Sequence, residues 1–247
     1  MNQSEHGRDA WRFAAGDAGF VRHFQEAGFA VVEGVLSERA LADVSAAVTD
    51  AAGREGYALR NLLLAVPAVR GLAAAPEIRA LVEPLLGAAA VPVKGILFDK
   101  TPAANWKVAW HQDTTICVRE RAAVPGYGPW SVKDGVVNVQ PPADVLAGLV
   151  TVRVHLDDCG TDNGPLRVLP GSHQNGRLTA AAMERRLAEN APVNCTIRRG
   201  GVLLMRPLLL HASSAATRPA HRRVIHLEFA ACSLPAPLQW ALADGVR

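Results

Sequence analysis

From residue 91 onward the chain is a succession of short β-rich segments, and this succession constrains the fold more than any other feature. The segments are Val91–Phe98, Val108–His111, Leu149–Leu156, Leu166–Leu169, Val193–Ile197, Val202–Met205 and Val224–Phe229, separated by clusters of Gly, Pro, Asn and Asp. Many short strands with such punctuation build a sandwich, a jelly roll or a barrel. The residues before them read differently. Asp17–Ala27 places Phe20, Val21 and Phe24 on one helical face and ends at Gly28, and Phe29–Val32 is a compact apolar strand. Ser37 is an N-cap for a helix over Glu38–Ala52, and a further helix runs from Pro76 to Leu86 and stops at Gly87. The order is helices first, then an all-β core. Between the second and third strands lies Arg119–Asp144, rich in Gly and Pro and too long for an ordinary connection. It is either a functional lid or a disordered insertion.

Composition narrows the function classes. Of 247 residues 49% are hydrophobic, which excludes a disordered chain, and no apolar run approaches the ~20 residues needed to span a bilayer. The net charge of +3 comes from scattered residues and lacks the basic block that nucleic-acid binding by counterion release requires. Cys117, Cys159, Cys195 and Cys232 are far apart with no C-x-x-C pair, as reduced thiols would be, and Met1–Ala10 lacks an apolar leader core. The expectation is a cytoplasmic protein of one domain, without membrane or nucleic-acid partners. The sequence carries no signal of oligomeric state.

Three pieces of the chain suggest chemistry. In Trp110-His111-Gln112-Asp113, read as a strand, alternation puts His111 and Asp113 on one face, where an imidazole and a carboxylate can share a metal ion; a His–Asp hydrogen bond is the plain alternative. His211, after the apolar run Val202–Met205, is a candidate third ligand or a buried structural histidine. Two His and one carboxylate with open positions suit non-haem Fe(II), and no cysteine stands at zinc-ligand spacing to complete a closed set. Arg222 enters the last strand eleven residues after His211 and is placed to clamp a carboxylate; alternation sends only one of Arg222 and Arg223 inward.

Together with Asn163-Gly164-Pro165-Leu166-Arg167-Val168-Leu169-Pro170-Gly171-Ser172-His173, these segments resemble the phytanoyl-CoA dioxygenase family of Fe(II)/2-oxoglutarate oxygenases. The likeness extends over about residues 20–230. The resemblance implies a mainly β protein with flanking α-helices, a double-stranded β-helix or cupin-like jelly roll. A helical part would cover about residues 1–88, the jelly-roll core about 89–232 and the lid insertion about 119–144 of a single domain. It also implies that His111, Asp113 and His211 bind Fe(II) and that Arg222 binds the distal carboxylate of 2-oxoglutarate. O2 would be the oxidant, with ascorbate as an accessory reductant, and the substrate a small molecule.

Lys100, on the strand before the H-x-D, and Thr151, sharing a strand face with Arg153 and His155, are further candidates for contacting 2-oxoglutarate. Asn163-Gly164 and Pro170-Gly171 read as turns, His173 as an orienting residue, and Trp130 as either a packing group or a wall of the substrate pocket. His155, His221 and His226 read as structural or surface residues. Iron halogenases of this fold have a small residue where Asp113 stands, so the carboxylate favours hydroxylation or another oxidation over halogenation. Two other functions fit the same residues: a jelly roll that binds metal or ligand without turnover, and a metal-dependent hydrolase with the same His/Asp/His set.

Overall fold

The computed structural model describes residues 11–53 and 58–242; Met1–Ala10, where a leader was sought, lies outside them. A short strand β1 (Arg12–Ala14) precedes helix α1 (Gly19–Ala27), which buries Phe20 and Phe24 and stops at Gly28 in the left-handed conformation (φ 82°). Strand β2 (Phe29–Glu33) follows, then α2 (Glu38–Ala52), whose start is capped by the Ser37 hydroxyl accepting the Ala40 N–H. After β3 (Ala58–Arg60) come α3 (Leu62–Ala65), α4 (Pro67–Ala74) and α5 (Pro76–Leu86), the last two opening on a proline. The sequence reading does not separate α3 and α4, because Leu62-Leu63-Leu64-Ala65 is uniformly apolar and shows no period.

The β core contains β4 (Val91–Lys100), β5 (Val108–His111), β6 (Ile116–Val118), β7 (Trp130–Lys133), β8 (Val136–Val139) and, after the short helix α6 (Ala143–Ala147), β9 (Leu149–His155). Next are β10 (Leu166–Val168), helix α7 (Ala180–Glu189), β11 (Val193–Cys195), β12 (Val202–Met205), β13 (His211–Ser213) and β14 (Arg222–Ala230). A seven-stranded sheet in the order β1-β2-β12-β9-β14-β4-β3 faces a four-stranded sheet in the order β11-β10-β13-β5, which is the expected jelly roll with helices outside it.

The larger sheet has an unusual polarity. Val150, Val152 and Val154 of β9 and Ile225, Leu227 and Phe229 of β14 pack with Leu41, Val48, Ile78 and Val82 of the helices. Its outer face is therefore apolar. Alternation then sends Thr151, Arg153 and His155 of β9, and Arg222, His226 and Glu228 of β14, to the inner face, where all are buried. Toward β2 and β12 the same inner face is apolar, with Phe29, Val31, Leu203 and Met205 packed against Leu166 and Val168 of the smaller sheet, so the polar inner wall is the part formed by β9 and β14.

Of the two alternatives for Arg119–Asp144, disorder does not hold. β7 and β8 form a hairpin that pairs with β6 in a three-stranded sheet. Its turn is Asp134-Gly135, both residues at positive φ (48° and 79°), as a two-residue hairpin turn requires. Arg60 Nη1 donates to Asp134 Oδ2 (3.0 Å) and Asn61 Nδ2 to the Asp134 carbonyl (3.0 Å), tying the hairpin tip to the end of β3. Among the described residues no helix is long and apolar enough to cross a membrane, and all four cysteines are free.

Candidate functional site

Strands β5 and β13 are antiparallel, and their register sets His111 opposite His211, with ring centroids 4.2 Å apart. Each ring is oriented by its own strand. His111 Nδ1 meets the Ala109 carbonyl and His211 Nδ1 the Leu209 carbonyl, both at 2.8 Å. With Nδ1 donating, each Nε2 keeps a lone pair for a ligand.

Asp113 lies beyond the end of β5, so the strand alternation read from the sequence does not alone position it. Its N–H donates to the Pro207 carbonyl (2.9 Å). The intervening Gln112 is buried; it donates to the carbonyls of Leu208 (2.6 Å) and Gly176 (2.9 Å) and accepts the Leu178 N–H (2.8 Å). Anchored outward in this way, Gln112 lets Asp113 return to the His111 side. Asp113 Oδ1 is 3.8 Å from His111 Nε2, and Oδ2 is 3.8 Å from His211 Nε2. These separations are too long for hydrogen bonds. They suit ligands that each approach one ion at about 2 Å, and the three ligating atoms lie within 4.8 Å of one another. Burial pushes His211 down to about 4, so it is neutral near pH 7. Burial opposes charge on Asp113, but the histidines His211, His226 and His111 and the Lys94 ammonium overcome it and hold the carboxyl below the usual carboxylate range. Neutral imidazoles and an ionised carboxylate are the protonation states a divalent metal needs.

A cavity of about 150 Å³ opens beside these residues, lined also by Phe98, Trp106, Arg153, Leu166, Ser213 and Arg222. Arg222 is 4% exposed; its Nη1 donates to the Gly164 carbonyl while its Nε is buried without a partner. Arg223 turns away and forms a two-point ion pair with Asp157, Nη2–Oδ1 2.7 Å and Nε–Oδ2 2.9 Å. Only one of the two arginines is inward, and it is Arg222.

Lys100, paired across the sheet with Arg222, is 1% exposed and donates to Ser213 Oγ (3.0 Å) and the Ser214 carbonyl (2.6 Å). Burial, then repulsion from Arg222, lowers it to about 8. It stands behind Ser213 and does not itself line the cavity. Thr151 is buried opposite Glu228 with no partner for its hydroxyl, and is not among the residues lining that cavity. His173 packs against Gly28, its Nε2 3.3 Å from the Gln25 carbonyl, and His221 pairs with Asp99 at 2.9 Å. Trp130 lies in β7 under the Arg121 guanidinium, while Trp106 walls the cavity.

Sequence reasoning misses a buried polar chain beside the site. Arg153 Nη1 is 2.9 Å from His226 Nδ1, His226 Nε2 is 3.3 Å from Glu228, and Glu228 accepts from Lys94 at 2.8 Å. Asp113, His226 and Glu228 also lie close enough to share a metal ion, but Arg153 and Lys94 already engage the last two. The signal was present: polar residues at every second position of Thr151-Val152-Arg153-Val154-His155 mark an inward polar face.

A jelly roll carrying two imidazoles and a carboxylate around an ion-sized gap defines the cupin-like non-haem metal enzymes. Within that class, the model of the family described as Phytanoyl-CoA dioxygenase (PhyH) matches residues 24–224, and the chain belongs to this family. It is accordingly an oxidoreductase of the Fe(II)- and 2-oxoglutarate-dependent oxygenases. The fold is similar to that of the carbocyclase SnoK from nogalamycin biosynthesis (TM-score 0.68, 19% identity, 87% of this chain and 83% of that one). It is similar also to AviO1 from Streptomyces viridochromogenes Tue57 (TM-score 0.62, 25% identity, 88% and 96% covered). A third similar structure is the epimerase SnoN with Fe3+, alpha ketoglutarate and nogalamycin RO (TM-score 0.67, 18% identity, 85% and 81% covered). Comparison with curated protein sequences returned no significant match.

Proposed function

We propose that the protein hydroxylates an unactivated C–H bond of a small molecule, with the balance R–H + O2 + 2-oxoglutarate → R–OH + succinate + CO2. His111, Asp113 and His211 hold the Fe(II), and Arg222 receives the distal carboxylate of 2-oxoglutarate. The observation that carries this reading is one cavity with an ion-sized gap between two Nε2 atoms and a carboxylate at one place and a buried guanidinium with an unpartnered Nε at another. The bound iron supplies the O2-activating redox chemistry. The chain's own residues do the rest. The Ala109 and Leu209 carbonyls fix the imidazole tautomers, Gln112 sets the carboxylate, and Lys100 braces Ser213 on the cavity wall. Phe98, Trp106 and Leu166 give the cavity apolar walls that limit water. Asp113 occupies the place a halide would need, which favours oxygen transfer over halogenation. Thr151 has no part in the reading.

The test is anaerobic addition of Fe(II) and 2-oxoglutarate. A visible charge-transfer band, followed on admitting O2 by succinate and a product heavier by one oxygen atom, supports it. A band without turnover would favour a binding protein. Absence of any band would favour the hydrolase reading, and a product lighter by two hydrogens would replace hydroxylation by desaturation or cyclisation.

A further inference from the structure

Asp113 and Phe98 stand between two cavities. One is the cavity described above; the other, of about 210 Å³, shares only these two residues with it. The second cavity runs under the β7–β8 hairpin. It is lined by Lys94, Thr115, Cys117 and Asn138, by Ile96 with Phe98 and Gly95, and by Arg60, Asn61 and Lys133. Its charges are unbalanced. Lys94 is neutralised by Glu228 and also donates to the Thr115 carbonyl (3.0 Å). Among the described residues Arg60 is held only by an exposed ion pair with Asp134, the kind that contributes little and exchanges readily. Lys133 has no carboxylate partner among the described residues. Among the described residues Asp113 is the only carboxylate in the lining, and its charge is taken up by the metal once that is bound.

We propose that this second cavity seats the primary substrate, and that the substrate is a small molecule bearing a carboxylate or phosphate held between Lys133 and Arg60. Its carbon portion lies against Ile96 and Phe98 and points toward Asp113, which brings a C–H bond to the metal side. A cavity with excess positive charge at its rim attracts an anion. The volume lies below the ~300 Å³ at which drug-sized pockets begin, so the occupant is small. The inference rests on the oxygenase reading above.

The experiment uses full-length protein loaded anaerobically with Fe(II) and 2-oxoglutarate. Benzoate, hexanoate and phenyl phosphate are titrated against benzamide, hexanamide and phenol, by calorimetry and by the visible band in the same sample. At least one of the acids is expected to bind and perturb the band, and the neutral partners are not. Lys133→Gln, at an exposed hairpin position, and Arg60→Gln should each weaken acid binding about tenfold, the loss of one charge-assisted contact, and leave the 2-oxoglutarate band intact. The idea is overturned if acids and neutral partners bind alike, if no acid binds, if both variants bind the acid as the parent does, or if the acid bleaches the band by displacing 2-oxoglutarate. Failure of the parent protein to form the band at all would instead sink the oxygenase reading, before any acid is added.

Discussion

Arg222 and Arg223 are neighbours in sequence and face opposite sides of one sheet. Truncating a partner of a buried charge pair costs about 2–5 kcal/mol. Arg222→Leu should therefore weaken 2-oxoglutarate binding by about a hundredfold or more, measured by titration of the visible band. Arg223→Leu removes the Asp157 pair, should destabilise by about 1 kcal/mol in urea unfolding, and should leave that affinity unchanged; equal effects on affinity would mean that Arg222 is not the clamp. Lys100 gives a pH prediction. Its pKa is lowered from 10.5 to about 8. Between those values the unfolded chain carries a proton that the native one has lost, so this residue makes stability rise with pH across the window. Below about pH 8 the protonated lysine opposes folding. Lys100→Met should thus be most favourable, relative to the parent, below pH 8, and that difference should shrink toward pH 10.5; a pH-independent difference in unfolding midpoints would disprove it. The triad and Arg222 were legible as residue types at fixed spacings, and Arg222 over Arg223 followed from the resemblance. Arg153 was legible as part of a polar strand face, but its partnership with His226 and Glu228 was not, because contacts between two strands have meaning only once their register is known.

The turn joining β9 to β10 has a function beyond connection. Gly164 has φ 63°, its carbonyl accepts from Arg222, and a Cβ there would lie 2.7 Å from the Ser214 carbonyl oxygen and 3.2 Å from Lys100 Nζ. Gly164→Ala should destabilise by about 1–3 kcal/mol and weaken 2-oxoglutarate binding as well, read from urea midpoints and band titration. An unchanged affinity would show that the turn does not set the Arg222 guanidinium. The β7–β8 hairpin makes the contrasting case. Asp134→Ala removes an exposed ion pair at the latch and should cost under about 1 kcal/mol of global stability. Amide exchange should nonetheless speed up in β7 and β8, as a locally opening element requires. No change there would rule out the latch. These elements also show where the sequence could be read. Helices α1, α2 and α5 carry an apolar period and a terminal glycine, and α2 the capping Ser37 as well, whereas α3 is Leu62-Leu63-Leu64-Ala65 with no period. The hairpin was readable too, from Asp134-Gly135, but strands of four residues inside a Gly- and Pro-rich stretch hid it.

At the scale of the molecule, the site joins parts that are distant along the chain. His111 ends the smaller sheet's edge strand β5 and Asp113 follows it, His211 comes from the next strand of that sheet, and Arg222 begins a central strand of the larger one. An ion held by the first three therefore links segments separated by about a hundred residues in sequence, and it binds only where both are in place. We propose that the chain folds as one domain, so such an ion should shift the entire unfolding transition and not split it. A ligand present at 100 times its Kd adds about 2.7 kcal/mol to native stability. For a chain of this length each kcal/mol moves the midpoint by about 2–4 °C, so Fe(II) under nitrogen should raise Tm by roughly 5–10 °C in a single calorimetric transition. Chelation should reverse the shift. Asp113→Ala should abolish it, because removing the carboxylate leaves two neutral imidazoles to hold a hard divalent ion. A shift that survives in Asp113→Ala would place the stabilising ion elsewhere. A transition that splits in two on metal addition would show that the two sheets do not unfold as one unit.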